Sequence, residues 1–207
     1  MMVRDNIMYQ STESQAPPDM SCIEVYEKIC SNMLTALMFH EQAADLFDFL
    51  SLHGFKRMHE YQYMAESVER RRLKRYVLNH HNILVKDAHS EKLQIIPKEW
   101  YNYTRKDVTP QVRTQYIEKI FSDYCDWETA SKQLYETCTK NLYELGMLAD
   151  FKRVMELVDD VDCELKILER LYLEIKSVDY NEVYIATMQP ELHEKYRKKT
   201  KELNIEE

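Results

Sequence analysis

Glycine occurs at only two of the 207 positions, Gly54 and Gly146, and each lies between two long segments of helical hydrophobic periodicity. Because glycine readily adopts the left-handed conformation that ends a helix, both positions are expected to be corners of helical hairpins. Proline is also scarce, whereas Leu, Glu, Lys, Met and Tyr are frequent, which is typical of long helices. The sequence therefore predicts an all-α, up-down four-helix bundle.

The sequence pattern divides the chain into three parts. Residues 1–20 are expected to be a flexible tail, residues 21–177 the four-helix bundle, and residues 178–207 a C-terminal extension that forms a short helix. The four predicted helices cover about 21–51, 55–82, 109–145 and 147–177. Ser21 and Glu24 have the spacing of a capping box at the start of helix one, and Thr109 before Pro110 is a start signal for helix three.

The segment between helices two and three, about 85–107, breaks the helical pattern and is rich in aromatic residues. Trp100, Tyr101 and Tyr103 make it too apolar for a disordered linker. About 23 residues at up to ~3.3 Å each are long enough to cross a whole bundle. We expect a packed crossover here.

Charge and composition exclude several classes of protein. The net charge of -8 argues against a general nucleic-acid binder, which normally has a basic face. The chain has no apolar run long enough for a signal peptide or a membrane span, so we expect a cytoplasmic protein. Five cysteines without close pairs are expected to be reduced core residues: Cys22, Cys30, Cys125, Cys138 and Cys163.

Acidic residues interrupt the apolar, inward-facing stripes of the two helices in the first predicted hairpin. Glu41 breaks the apolar face of helix one, and Glu66 with Glu69 forms a carboxylate pair on helix two. Their separations from Gly54 are 54 − 41 = 13, 66 − 54 = 12 and 69 − 54 = 15 residues. Equal distances from the turn of an antiparallel hairpin mean equal heights, so these side chains are expected to face each other.

The second predicted hairpin has a similar pair, Glu128 and Asp162. They lie 146 − 128 = 18 and 162 − 146 = 16 residues from Gly146. If both corners lie at the same end, the two sets of acids differ in height by roughly 5–8 Å. The expected result is an inner cluster of carboxylates from all four helices. Such a cluster cannot stay ionised in a dry interior, and a pair of divalent metals removes that conflict.

These residues resemble the ferritin-like superfamily, whose bundles place carboxylates and histidines around two iron or manganese ions. The likeness to ferritin and rubrerythrin-type chains covers Glu24–Lys176, in helix order, short first turn and long crossover. It implies that Glu41, Glu66, Glu128 and Asp162 are metal ligands of helices one to four, and that the protein is a di-metal oxidoreductase with oxygen chemistry.

The pattern also departs from that family. Three residues after the helix-two ligand the family has histidine, whereas this chain has Glu69, which we include among the candidate ligands. Helix four has no histidine, and His40 and His59 do not lie at the motif positions.

Two other interpretations stay open on the sequence. The acids can form a plain polar core that is satisfied by Arg57, Arg113, Lys132 or tyrosine hydroxyls. Alternatively, the chain is a non-enzymatic helical module that binds another protein through its acidic surface and the Trp100–Tyr103 segment. In its general character the sequence resembles small phage and prophage proteins, some of which block host defence proteins. We expect a homo-oligomer or a protein partner in either case.

Overall fold

The computed structural model describes residues 20–86, 95–96 and 98–203, and these residues form an all-α fold without strands. The five α-helices are α1 (Cys22–Phe49), α2 (His53–His81), α3 (Pro110–Glu144), α4 (Leu148–Ser177) and α5 (Glu182–Leu203). Two short 3-10 helices, Lys98–Asn102 and Arg105–Asp107, precede α3. The predicted all-α class is confirmed. The predicted flexible tail lies, except for Met20, outside the described residues.

Both helix starts that were predicted from capping residues are confirmed. The Ser21 hydroxyl accepts a hydrogen bond from the backbone N–H of Glu24, and the Glu24 carboxylate accepts one from the backbone N–H of Ser21. At α3, the Thr109 hydroxyl accepts from the backbone N–H of Val112, and Pro110 occupies the first helical position. Local sequence therefore fixes where these two helices begin.

Helices α1 and α2 form one antiparallel hairpin and α3 and α4 form another, and the two turns lie at opposite ends of the molecule. Phe55, just after the first turn, packs on Phe121 in the first half of α3. Tyr26, near the start of α1, donates a hydrogen bond to Asp150 in the first turn of α4. The turn at Gly146 is therefore far from the first turn, and α2 runs parallel to α3. The same-end arrangement that we considered from the sequence does not occur.

The connection from α2 to α3 enters the core at the end opposite to the one where α2 stops. The Trp100 ring is buried, with its centroid 4.0 Å from that of Tyr116 and 5.7 Å from that of Phe49. The Ile95 amide donates a 2.9 Å hydrogen bond to Gln42 Oε1 of α1. Trp100 is thus a core residue and is not presented to a partner.

The first turn is not made by its glycine. Ser51 holds the left-handed conformation, with φ of 62°, whereas Gly54 lies in the first turn of α2. A Cβ on Gly54 would lie 2.5 Å from the backbone oxygen of Gln189 in α5. Gly54 is therefore needed for close helix packing. The role predicted for Gly146 is confirmed, because its φ of 72° is left-handed.

Helix α5 is built into the core. The Gln189 side-chain oxygen accepts hydrogen bonds from the backbone N–H groups of Gly54, at 2.8 Å, and Phe55, at 3.2 Å. The N-cap residue of α2 makes no capping hydrogen bond with its side chain. The cap of α2 is therefore supplied by another helix. Ile185, Leu192 and Tyr196 of α5 are buried. The segment predicted as an extension therefore completes the first-turn end of the molecule.

Gly54→Ala should destabilise the protein by about 1–3 kcal/mol, because the new methyl group forces the α2 and α5 backbones apart. Glycine-to-alanine changes inside a helix usually stabilise it by about 1 kcal/mol, so the sign of the effect is informative. Urea denaturation gives the free energy of unfolding, and amide hydrogen exchange should show faster exchange in α5. An increase in stability would contradict this role of Gly54.

The buried apolar side chains form two clusters, one at each end. The first-turn core includes Phe39, Phe47, Phe55, Trp100, Phe121, Ile175 and Tyr196. The second-turn core includes Tyr26, Ile29, Leu73, Tyr135, Leu142, Val154 and Val161. The middle of α2, α3 and α4 lies between these cores, and polar side chains are enclosed there.

Candidate metal centre

Three carboxylates from three helices lie between the two apolar cores. They are Glu66 on α2, Glu128 on α3 and Glu164 on α4, and we call them the carboxylate cluster. Glu128 is 3% exposed. Each helix contributes one acid at the height where its apolar stripe is interrupted. The cluster is therefore a feature of the assembled fold and not of one segment.

The electrostatics of the cluster show that its members interact. Burial raises the pKa of Glu66 to about 8, with further contributions from the charges of Glu164 and Glu69. Burial also raises the pKa of Glu128 well above its usual range, and the charges of Glu164 and Glu66 add to the shift. The pKa of Glu164 is raised chiefly by burial, although a hydrogen bond from Gln62 opposes the rise. In the metal-free protein Glu66 therefore retains its proton near neutral pH.

Glu66 has an oxygen without a partner. As a residue Glu66 is half-buried, but its Oε2 atom is enclosed and accepts no hydrogen bond. An enclosed acceptor without a donor is costly, and such atoms are rare in folded proteins. Oε2 is therefore an available ligand atom of the kind that hard divalent cations prefer. The charges of the three carboxylates act on one another, but their ligand oxygens do not all lie within 4.8 Å of one another, so a cation held by all three requires side-chain movement.

The cations expected to satisfy a plain polar core pair with other acids. Arg57 Nη1 is 2.9 Å from Glu60 Oε2, and Arg113 Nη1 is 3.1 Å from Glu182 Oε1. The ammonium group of Lys132 contacts Asp162. None of these three cations therefore forms a salt bridge with Glu66 or Glu128. The charge of Lys199 lowers the pKa of Glu164, but it is a minor contribution beside burial.

The structure brings together Glu66 and Glu128 of the five predicted ligands. Glu41 is exposed on α1, so it does not interrupt the inward face as we expected. Glu69 forms an ion pair with Arg153 of α4. Asp162 lies between Lys132 and Lys166 at the surface of α3 and α4, and these two ammonium groups lower its pKa to about 2.

Glu164 was missed, although the sequence carries a signal for it. The distances 146 − 128 = 18 and 164 − 146 = 18 place Glu164 level with Glu128 in the second hairpin. Asp162, at 16 residues, is turned away from that face. The buried stripe of α4 includes Val154, Leu157, Val161 and Leu168. Glu164 continues this stripe at helical spacing, whereas Asp162 does not.

A buried histidine pair lies next to the cluster, at the edge of the first-turn core. His40 Nδ1 and His59 Nδ1 are 2.8 Å apart, so one nitrogen donates and the other accepts. Burial lowers the pKa of His40 to about 3, and burial together with His40 lowers that of His59 well below its usual value. Both rings are therefore neutral. The Nε2 atom of His59 is enclosed without a hydrogen-bond partner.

Polar side chains connect the histidine pair with the carboxylate cluster. The Tyr124 ring packs edge-on against His40, with centroids 4.9 Å apart, and its hydroxyl accepts a 2.9 Å hydrogen bond from Gln62 Nε2. A cavity of about 30 Å³ is lined in part by Gln62, Tyr124, Glu164 and Lys199. This volume has room for about two waters beside the Glu164 carboxylate.

In comparisons with protein-family models, with curated proteins and with solved structures, the chain has no match. The ferritin-like resemblance and the phage-like style therefore rest on the sequence pattern and remain predictions. Within the described ranges, no helix is both long and apolar enough to cross a membrane.

Proposed function

We propose that this protein binds divalent metal ions, two iron or manganese ions, in the carboxylate cluster, and that it is a divergent ferritin-like protein. The observation that carries the proposal is the enclosed, partnerless Oε2 of Glu66 beside Glu128 and Glu164. Three carboxylates from three helices, two of them without a salt bridge to Arg57, Arg113 or Lys132, suit metals with a preference for oxygen ligands. When bound, iron or manganese would supply oxidation chemistry with oxygen or peroxide.

The helix directions support the ferritin-like assignment. Two antiparallel hairpins with their turns at opposite ends need a long connection between α2 and α3, which is the topology of ferritin-like bundles with one crossover. The ligand set is smaller than that of the family, because none of the described acids of α1 lies in the cluster. The proposed ligands are therefore Glu66, Glu128 and Glu164.

Neighbouring side chains would position these ligands. The Gln62 amide, fixed by its hydrogen bond to the Tyr124 hydroxyl, lowers the pKa of Glu164 and so favours its ionised form. The first-turn core lies on one side of the cluster and the second-turn core on the other. The His40–His59 pair holds one proton between its two Nδ1 atoms. Metal binding should release the proton of Glu66, because the raised pKa of this carboxyl keeps it protonated near neutral pH when the site is empty.

The test is metal loading with matched variants. Chelator-stripped protein is incubated anaerobically with ferrous iron or with manganese, desalted and analysed for metal per chain. Near-stoichiometric metal is expected for the wild type and for Glu41→Gln, whose side chain is exposed. The Glu66→Gln, Glu128→Gln double variant should lose the metal of the carboxylate cluster and load less than the wild type. Equal loading of this variant and the wild type, or no loading of any protein, would reject the proposal.

A second candidate function is protein binding, for example as a phage-encoded inhibitor of a host defence protein. The observation that favours it is the group of exposed apolar residues around the second turn, where Tyr143 is 62%, Leu145 48% and Leu148 58% exposed. Such residues at one corner suit a protein interface. A protein that stays metal-free and forms a complex or homo-oligomer that Leu148→Ser disrupts would favour this function.

A further inference from the structure

A second group of ligand-type side chains lies at the second-turn end, outside the carboxylate cluster. Cys22 is the first residue of α1, His81 the last of α2, and Asp150 lies in the first turn of α4. Cys22 Sγ is 4.0 Å from His81 Nε2, which is 2.7 Å from Asp150 Oδ1. Among the described residues, this is the trio whose ligand atoms all lie within 4.8 Å of one another.

The geometry distinguishes a metal site from a catalytic triad. In a triad of nucleophile, histidine and acid, one ring nitrogen faces the nucleophile and the other faces the acid. Here the sulfur and the carboxylate oxygen both approach Nε2 of His81. Metal coordination needs three ligand atoms close to one point, as in this group. A proton relay from the acid through the ring to the thiol is not available, because the same ring nitrogen faces both groups.

We propose that Cys22, His81 and Asp150 form a three-ligand zinc site with a fourth position open to water. Zinc binds thiolate, imidazole and carboxylate ligands in tetrahedral geometry, at distances that place neighbouring ligand atoms about 3.4–3.6 Å apart. The separations of 4.0 and 2.7 Å reach these values through side-chain shifts of less than about 1 Å. The mixed sulfur, nitrogen and oxygen set suits zinc better than the all-oxygen cluster does.

Tyr26 acts as a positioning residue for this site. Its hydroxyl donates a 2.6 Å hydrogen bond to Asp150 Oδ1, and its ring is fully buried in the second-turn core. Hydrogen bonds of this kind orient a carboxylate ligand and restrict its rotation. The side chain of His81 is 20% exposed, so an ion can reach the site from solvent.

Metal binding would change the ionisation of the thiol. Without a cation, burial and the Asp150 charge raise the pKa of the Cys22 thiol to about 12. A bound zinc ion offsets both effects, so zinc uptake should release a proton and tighten with rising pH. The site shares no residue with the carboxylate cluster, and this inference does not depend on the proposed function.

Cobalt(II) substitution tests the proposal on the full-length protein. One cobalt per chain should produce a thiolate-to-cobalt charge-transfer band in the near ultraviolet, and added zinc should remove it. The band should vanish in Cys22→Ser and persist in Cys163→Ser, which changes an exposed cysteine of α4. It should also persist in the Glu66→Gln, Glu128→Gln variant, which separates this site from the carboxylate cluster.

Tyr26→Phe provides a second variant that keeps all three ligands. It should weaken zinc binding about 10-fold or more while circular dichroism stays helical, because the ligand Asp150 loses its hydrogen-bond donor. Absence of the charge-transfer band in the wild type would overturn the proposal. Persistence of the band in folded Cys22→Ser would overturn it as well, since another sulfur would then be the ligand.

Discussion

The free energy of unfolding of the metal-free protein should fall by about 2 kcal/mol between pH 6.5 and 8, and the Glu66→Gln, Glu128→Gln variant should lose most of this dependence. In the folded protein the pKa of Glu66 is raised to about 8, whereas a carboxyl group in the unfolded chain ionises near 4.5. Over this interval the folded state therefore holds a proton that the unfolded state has released. A difference of one bound proton lowers the free energy of unfolding by about 1.4 kcal/mol for each pH unit.

Chemical denaturation in the presence of a chelator measures this dependence at several pH values. The buried His40 and His59 oppose this fall by roughly 0.4 kcal/mol each over the interval, because they are neutral when folded and half protonated at pH 6.5 when unfolded, and all the compared variants retain both histidines. Glu41→Gln is the matched control, because it removes an exposed acid of α1 and should leave the slope unchanged. A wild-type stability that stays level or rises toward pH 8 would show that the carboxylate cluster is not protonated as described.

His59→Ala should cost about 3–5 kcal/mol of stability, the largest effect that we expect from one substitution outside the carboxylate cluster. The His59 ring is fully buried and stacks on Phe47, with centroids 5.4 Å apart. Its removal leaves a cavity and also deprives His40 of its Nδ1 partner. The cost therefore combines lost packing with a buried polar atom that has no hydrogen bond.

His53→Ala is the control for this substitution, since His53 lies on the same helix with a side chain that is 61% exposed. Thermal and urea unfolding of both variants should separate them by at least about 2 kcal/mol. Similar stabilities for the two variants would mean that the buried histidine pair is not an important part of the core.

Local signals in the sequence predicted the helix starts well. Ser21 with Glu24, and Thr109 with Pro110, act through backbone groups three residues away, so no tertiary information was needed. Gly146 was equally predictable because its left-handed φ is a local property. These features were sufficient for the all-α class and for the approximate helix boundaries.

Features that depend on contacts between distant helices were predicted less well. Gly54 is required by the backbone of Gln189, which lies 135 residues later, and the turn itself is made by Ser51. Asp162 was predicted and Glu164 was not, although Glu164 matches Glu128 better in height. The two-residue difference also rotates the side chain by about 200° around the helix axis, which separates the inward Glu164 from Asp162.

The proposed zinc ligands could not be predicted from a sequence pattern. Cys22 begins α1, His81 ends α2 and Asp150 lies in the first turn of α4, so no spacing along the chain relates them. Their proximity follows from the opposite positions of the two turns. The expectation that all five cysteines are core residues was also wrong, because Cys163 is exposed and Cys22 is half-buried beside polar groups.

Anomalous diffraction from crystals of the iron-loaded protein, collected at the iron absorption edge, tests the central claim most directly. The account predicts anomalous density among the carboxylates of Glu66, Glu128 and Glu164, and none at these positions in the Glu66→Gln, Glu128→Gln variant. Iron found only beside Cys22, His81 and Asp150, or only at surface acids such as Glu41, would contradict the assignment of the carboxylate cluster as the metal centre.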